Sequence, residues 1–144
     1  IIESLTDNRN RTANDIKYLL SKHGASLAAA GSVTYGFERQ GLIRVPEGWP
    51  KDGREALELL LIEAGMNDVV DEESGAMEMV CAPQDLMKVA QVLTNAGLHP
   101  DTVEFSWAPK TLVETDEVTG TEAVALIDAL EEQDDVHHVY TNLA

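Results

Sequence analysis

Between residues 42 and 107 the chain alternates two hydrophobic spacings in an order that few folds accommodate. Residues 42–45, 67–70, 76–81 and 102–107 are short runs rich in β-branched, aromatic or other apolar side chains and read as strands. Between the first two, a helix is predicted from Asp52, with Glu55 at the third position, Leu57, Leu60, Leu61 and Ala64 on its buried face and Gly65 as its stop. Between the last two, Pro83 suits a first turn, Leu86, Val89, Ala90 and Leu93 form the apolar stripe, and Gly97 ends the helix. Ser74-Gly75 marks a tight turn, so the runs on either side pair as a hairpin. The resulting order, β-α-β-β-α-β, is the ferredoxin-like pattern, in which two helices cover one face of an antiparallel sheet.

The flanking segments supply the pieces of a second unit. Strand character recurs at residues 1–5, 32–37 and 136–140. Thr12 and Asp15 make a capping-box-like start for a helix that buries Ile16, Leu19 and Leu20 and stops at Gly24; Thr119 and Glu122 open another that buries Ala123, Leu126, Ile127 and Leu130. Residues 110–114 are the candidate for a missing strand. The predicted fold class is α+β: two ferredoxin-like α/β domains with antiparallel sheets, one inserted in the other. Residues 1–40 and 111–144 form the discontinuous outer domain and 41–110 the inserted one.

Composition narrows the function classes. The 144 residues suffice for a core, and no apolar run approaches the roughly 20 residues of a membrane span. The single cysteine, Cys81, excludes an internal disulfide and a four-cysteine zinc site. A net charge of −16 argues against wrapping nucleic acid along the whole chain. The charge is uneven, however: the first 54 residues hold eight of the 10 basic side chains and six of the 26 acidic ones. Any polyanion contact is therefore expected in the first third. The chain opens on Ile1-Ile2-Glu3-Ser4-Leu5, with no initiator Met and no basic targeting segment, and is read as a fragment.

One polar stretch stands out: Leu5-Thr6-Asp7-Asn8-Arg9-Asn10-Arg11-Thr12, a loop leading into a capped helix. Helix-start amides beside guanidinium groups can receive a phosphate, which makes Asn8, Arg9, Asn10 and Arg11, with Lys17 further along, candidate nucleic-acid contacts. The alternative is a capped turn whose arginines pair with Asp7, Asp15 or Glu3. Trp49 beside Lys51 and Arg54 either stacks on a base or plugs a core edge, and Trp107 is expected in the core. His137 and His138 look like metal ligands, but neighbours on a regular strand face opposite ways, so no metal site and no cofactor is expected. Cys81 reads as buried and inert. No convergent carboxylate pair, phosphate loop or nucleophile motif is present, and the chain is not expected to be an enzyme.

Several segments together resemble the YebC family: Leu5 through Thr12, Gly31-Ser32-Val33 with Phe37 and Gly41, Ile62-Glu63-Ala64-Gly65 with Asp68-Val69, and Asp134-Asp135-Val136 with Val139-Tyr140 and Asn142. The resemblance implies an N-terminal helical domain, absent here with its basic region, followed by two nested α/β domains. It implies bacterial regulators of transcription and a mitochondrial translational activator, hence a cytoplasmic or mitochondrial-matrix location with no membrane partner. The expected function is regulation of gene expression at the ribosome as a translation factor. Ribosomal RNA would be held mainly by the absent domain, with the loop at Asn8 to Arg11 adding a contact. The alternatives are a DNA-binding transcriptional regulator acting at promoters and, from another class, a ferredoxin-like module sensing a small ligand.

Overall fold

The computed structural model describes residues 1–29 and 31–144. In chain order its elements are β1 (Ile2–Ser4), α1 (Arg9–Lys22), β2 (Phe37–Val45), α2 (Arg54–Ala64), β3 (Met66–Asp71), β4 (Met77–Cys81), α3 (Leu86–Asn95), β5 (Thr102–Pro109), α4 (Glu117–Glu131) and β6 (Val136–Val139). They divide into two units, Ile1–Glu38 with Ala108–Ala144, and Arg39–Trp107.

The inner unit holds the four-stranded sheet, ordered β3-β4-β2-β5. β2 and β3 each run antiparallel to β4. At β5 the Asp101 amide donates to the Arg44 carbonyl and, at the other end, Lys110 to Gly36, so β5 runs opposite to β2. The turn at Ser74-Gly75 closes as expected, with Gly75 at φ +90° and the Glu72 amide donating to the Ala76 carbonyl at 2.8 Å. Ile43, Met77 and Met79 from the sheet meet Leu57 and Leu61 of α2 and Val89 and Leu93 of α3 in one buried cluster. Leu60 departs from the expected stripe: it is 52% exposed, one position before the buried Leu61 on the helix. Trp107 also departs from expectation, being only half-buried on the edge strand.

A larger difference concerns β2. The run at 32–37 is not a strand: Thr34–Gly36 form a 3-10 turn and only Phe37 enters the sheet. The strand then continues unbroken through Gly41, which pairs with Cys81. Gly41 is present because there is no room for a side chain: a Cβ there would lie 2.8 Å from Leu86 Cδ1 and 2.9 Å from Cys81 Sγ. Gly41 is the place where α3 sits down on the sheet.

In the outer unit β1 pairs antiparallel with β6 in a two-stranded sheet, while α1 packs on α4 and α4 on β6. Ile16, Leu20 and Leu130 are its buried centre, flanked by Ile2, Leu126, Val136 and Val139. The segment 110–114 does not add to that sheet; Val113 instead forms an isolated parallel bridge with Leu143. Both helices start one turn earlier than the apolar pattern indicates. The cap of α1 is Asn8, accepting from the Arg11 amide, and the cap of α4 is Asp116, accepting from the Thr119 amide. Each adds a polar first turn that touches no core, so hydrophobic spacing does not register it.

Candidate nucleic-acid interface

Asn8 sits in extended backbone (φ −140°, ψ 92°), which points its Oδ1 back at the free amides of the first turn; it takes the Arg11 N–H at 3.1 Å. The Asn8 amide in turn donates to Thr6 Oγ1 at 3.0 Å. Arg9, Asn10 and Arg11 are therefore residues of the first turn of α1 and not of a loop, and the Asn8 side chain is already engaged.

At about 100° per residue, positions 10 and 17 fall within roughly 20° of one another on a helix, whereas position 11 falls on the opposite flank from 17. The contacts match that geometry. Arg11 Nη2 bonds Asp7 at 3.1 Å and Asp135 at 3.2 Å. Thr12, buried, places its hydroxyl 2.8 Å from Asp135 Oδ2 and 2.7 Å from Thr6 Oγ1. A hydroxyl carries one proton; the carboxylate is the stronger acceptor, so Thr12 donates to Asp135 and accepts from Thr6. The Thr12 hydroxyl first, and the Arg11 guanidinium second, hold the Asp135 carboxyl below its ordinary range. Hydrogen bonding to Asp135 likewise raises the Arg11 guanidinium. Arg11 and Thr12 thus fasten the start of α1 to the turn before β6, while Asn8 caps the helix. Arg9, Asn10 and Lys17 remain exposed, and neither Arg9 nor Lys17 has an ion-pair partner among the described residues. Arg9 borders a cleft of about 600 Å³ whose other walls include Ile2, Leu5, Ile16 and Leu27.

The inner unit uses its basic residues otherwise. Arg44 reaches Glu72 at 2.9 Å and Asp101 at 2.7 Å. Arg54 lies 3.3 Å from Asp71 and 4.6 Å above the Trp49 ring, and Trp49 donates its indole N–H to the same Asp71 at 2.8 Å. Trp49 packs against the inner core with the Arg54 guanidinium over its ring, which fits the plug at a core edge. The open aromatic surface is elsewhere. The Arg39 guanidinium stacks 4.8 Å from the Phe105 ring centroid and 5.6 Å from that of Trp107, with Phe105 47% exposed. Sequence reasoning singled out neither Arg39 nor Phe105. The available signal was the two-residue spacing of Phe105 and Trp107, which puts both on one face of β5.

Cys81 is buried, and burial pushes its thiol above the ordinary value. The histidine pair requires a correction. Glu3 pairs with His138 and Ser4 with Val136, so His137 is an extra residue in β6 with no opposite number. Val136 and Val139 both pack on the outer core although they are three positions apart, which a regular strand forbids. The bulge lets both valines face inward and turns both imidazoles to the other side, their centroids 4.4 Å apart.

Residues 1–143 match the family model described as "TACO1/YebC second and third domain". A probable transcriptional regulatory protein of Thermobifida fusca is 42% identical over 143 residues, covering 99% of this chain and 56% of the relative. One of the same description from Rubrobacter xylanophilus is 42% identical over 142 residues with the same coverage. The crystal structure of a conserved hypothetical protein from Aquifex aeolicus superposes with a TM-score of 0.85 at 35% identity, covering 99% of this chain and 58% of the other. The chain thus spans a little over half the length of these relatives. No helix among the described residues is long and apolar enough to cross a membrane. With the whole matched stretch in one frame and the nested units in place, the chain belongs to the TACO1/YebC family, within its second and third domains.

Proposed function

We infer that the chain is the α/β portion of a regulator of gene expression that acts at the ribosome as a translation factor, with one flank of α1 touching RNA phosphate. The observation that carries this reading is the pair Arg9 and Lys17, exposed and without a carboxylate partner among the described residues on a chain of net charge −16. A cation kept apart from so many acids is available to a polyanion. The acidic remainder repels nonspecific nucleic acid and so restricts contact to this flank. Two cations make an accessory contact only, which suits a protein anchored through a further, basic domain of the kind the family resemblance implies.

The test is cosedimentation of the full-length protein with ribosomes, beside promoter-DNA binding at matched salt, for wild type and the Arg9→Ala/Lys17→Ala double variant. Weaker sedimentation at unchanged thermal stability is expected. Each lost phosphate contact also flattens the salt dependence of log K by about 0.7 to 0.9. Unchanged sedimentation would remove α1 from the contact. If DNA binding alone falls, the second reading holds: a transcriptional regulator acting at promoters, which the relatives' printed names favour.

A further inference from the structure

We propose that Glu3, His137 and His138 form a binding site for a divalent metal ion of the zinc class, one that clips β1 to β6. Three observations converge. The bulge in β6 cancels the strand alternation and brings two consecutive imidazoles to one side. Glu3 lies opposite His138 in the register, so its carboxylate rises on that same side. One ligand atom from each of the three residues falls within 4.8 Å of the other two. Around zinc, with bonds of about 2.0 to 2.2 Å, tetrahedral ligands stand about 3.4 Å apart. Side-chain rotations of about an ångström close the difference, and none of the three is fully buried.

The donor set defines the ion. Two imidazoles and one carboxylate suit zinc, nickel or copper and are poor for magnesium or calcium, which prefer all-oxygen shells. Three protein ligands leave the fourth position to water. Asp135 does not complete the set, since it is engaged by Thr12 and Arg11. His138 also rests against the Tyr140 ring, at 5.6 Å between centroids, which limits the orientations its imidazole can take. The consequence is structural. β1 has three residues and β6 has four, and a two-stranded sheet of that size is marginal by itself. An ion bound to the folded strands but not to the unfolded chain stabilises the outer unit by mass action.

The test is calorimetric titration of the protein with zinc chloride, alone and after His137→Gln, His138→Gln and Glu3→Gln, with His23→Gln and His99→Gln as controls at the two remaining histidines. One zinc per chain is expected. Each of the first three variants should weaken binding by at least about tenfold, the loss seen when even an outer-shell partner of a metal ligand is removed. The controls should bind as wild type, and zinc should raise the melting temperature of wild type and of the controls more than that of the three ligand variants. A readout that needs no variant is the histidine ring NMR spectrum, in which zinc should move His137 and His138 together and leave His23 and His99 in place. No binding up to millimolar zinc, or binding that follows His23 or His99, overturns the site.

Discussion

Gly41→Ala sets two effects of known size against each other at one atom. Gly41 lies within β2, and its φ is not positive, so alanine meets no backbone strain there. Glycine within a strand costs about 0.5–1 kcal/mol relative to alanine through unfolded-chain entropy, and on that account the substitution stabilises. Against it stands the new methyl, 2.8 Å from Leu86 Cδ1, 2.9 Å from Cys81 Sγ and 3.0 Å from Leu86 Cβ. The Leu86 terminus could swing away, but its Cβ is fixed to α3 and the sulfur to the paired strand. Overpacking of this kind costs about 1–3 kcal/mol. The packing cost wins, for a net loss of about 1–2 kcal/mol. Both tryptophans, Trp49 and Trp107, belong to the inner unit, so urea unfolding followed by their fluorescence reports on that unit. Gly36→Ala is the control, since a Cβ there meets nothing within 4 Å. Adding Cys81→Ala removes the sulfur and should relieve part of the clash, giving a favourable coupling of about 0.5–3 kcal/mol between the two sites. A Gly41→Ala protein as stable as wild type, or strict additivity with Cys81→Ala, refutes the account.

Thr12→Val keeps the shape of a buried side chain and removes its hydroxyl, so it should cost the outer unit about 1–2 kcal/mol. Thr12→Ser, which keeps the hydroxyl, should retain the hydrogen bond; circular dichroism melts of the two variants, read for loss of α1 and α4, check this. Asp135 and Glu72 both have folded-state carboxyl groups below the ordinary range, through the Thr12 hydroxyl and the Arg44 guanidinium respectively. Their contribution is therefore complete above the unfolded carboxylate value of about 4 and is lost as pH falls below it. Acid also relieves repulsion among the excess carboxylates, so the readout is the difference in urea midpoint between wild type and Arg44→Gln, which should shrink between pH 6 and pH 3. Cys81, with its thiol raised by burial, should react with an alkylating reagent only in denaturant, followed by mass; rapid labelling of the native protein would contradict its burial.

What the sequence made legible was whatever depends on one element at a time. The stripes Leu57, Leu61 and Leu86, Val89, Leu93 identify α2 and α3 because burial repeats with the helix period. Ser74-Gly75 identifies its hairpin because the turn needs a residue free to take positive φ. What failed depends on a neighbour supplied by the fold. Nothing in the sequence around Gly41 signals the close approach of Leu86. His137 and His138 look divergent until the register with β1 shows the extra residue. Asn8 and Asp116 were passed over for Thr12 and Thr119 because the first helical turn faces solvent and carries no hydrophobic signal. Composition likewise could count arginines without showing which were already engaged.

That last point bears most on function. The first third of the chain is basic by count, yet Arg11, Arg44 and Arg54 are each within 3.3 Å of a carboxylate. Arg39 is stacked on Phe105 and Trp107. On α1 this leaves Arg9, Lys17 and Lys22, of which Lys22 lies over the Tyr18 ring at 5.6 Å, so that Arg9 and Lys17 are the cations engaged by neither a carboxylate nor a ring among the described residues. Phosphate affinity scales with the number of neutralised charges, at about 0.7 to 0.9 in salt slope for each. Two contacts therefore give a slope of about 2 at most, which is weak binding at physiological salt. A steeper slope measured for a full-length family protein would have to come from residues other than these. Under the proposed function, the acidic surfaces of the α/β units would then serve less as the anchor than to confine phosphate contact to the flank of α1.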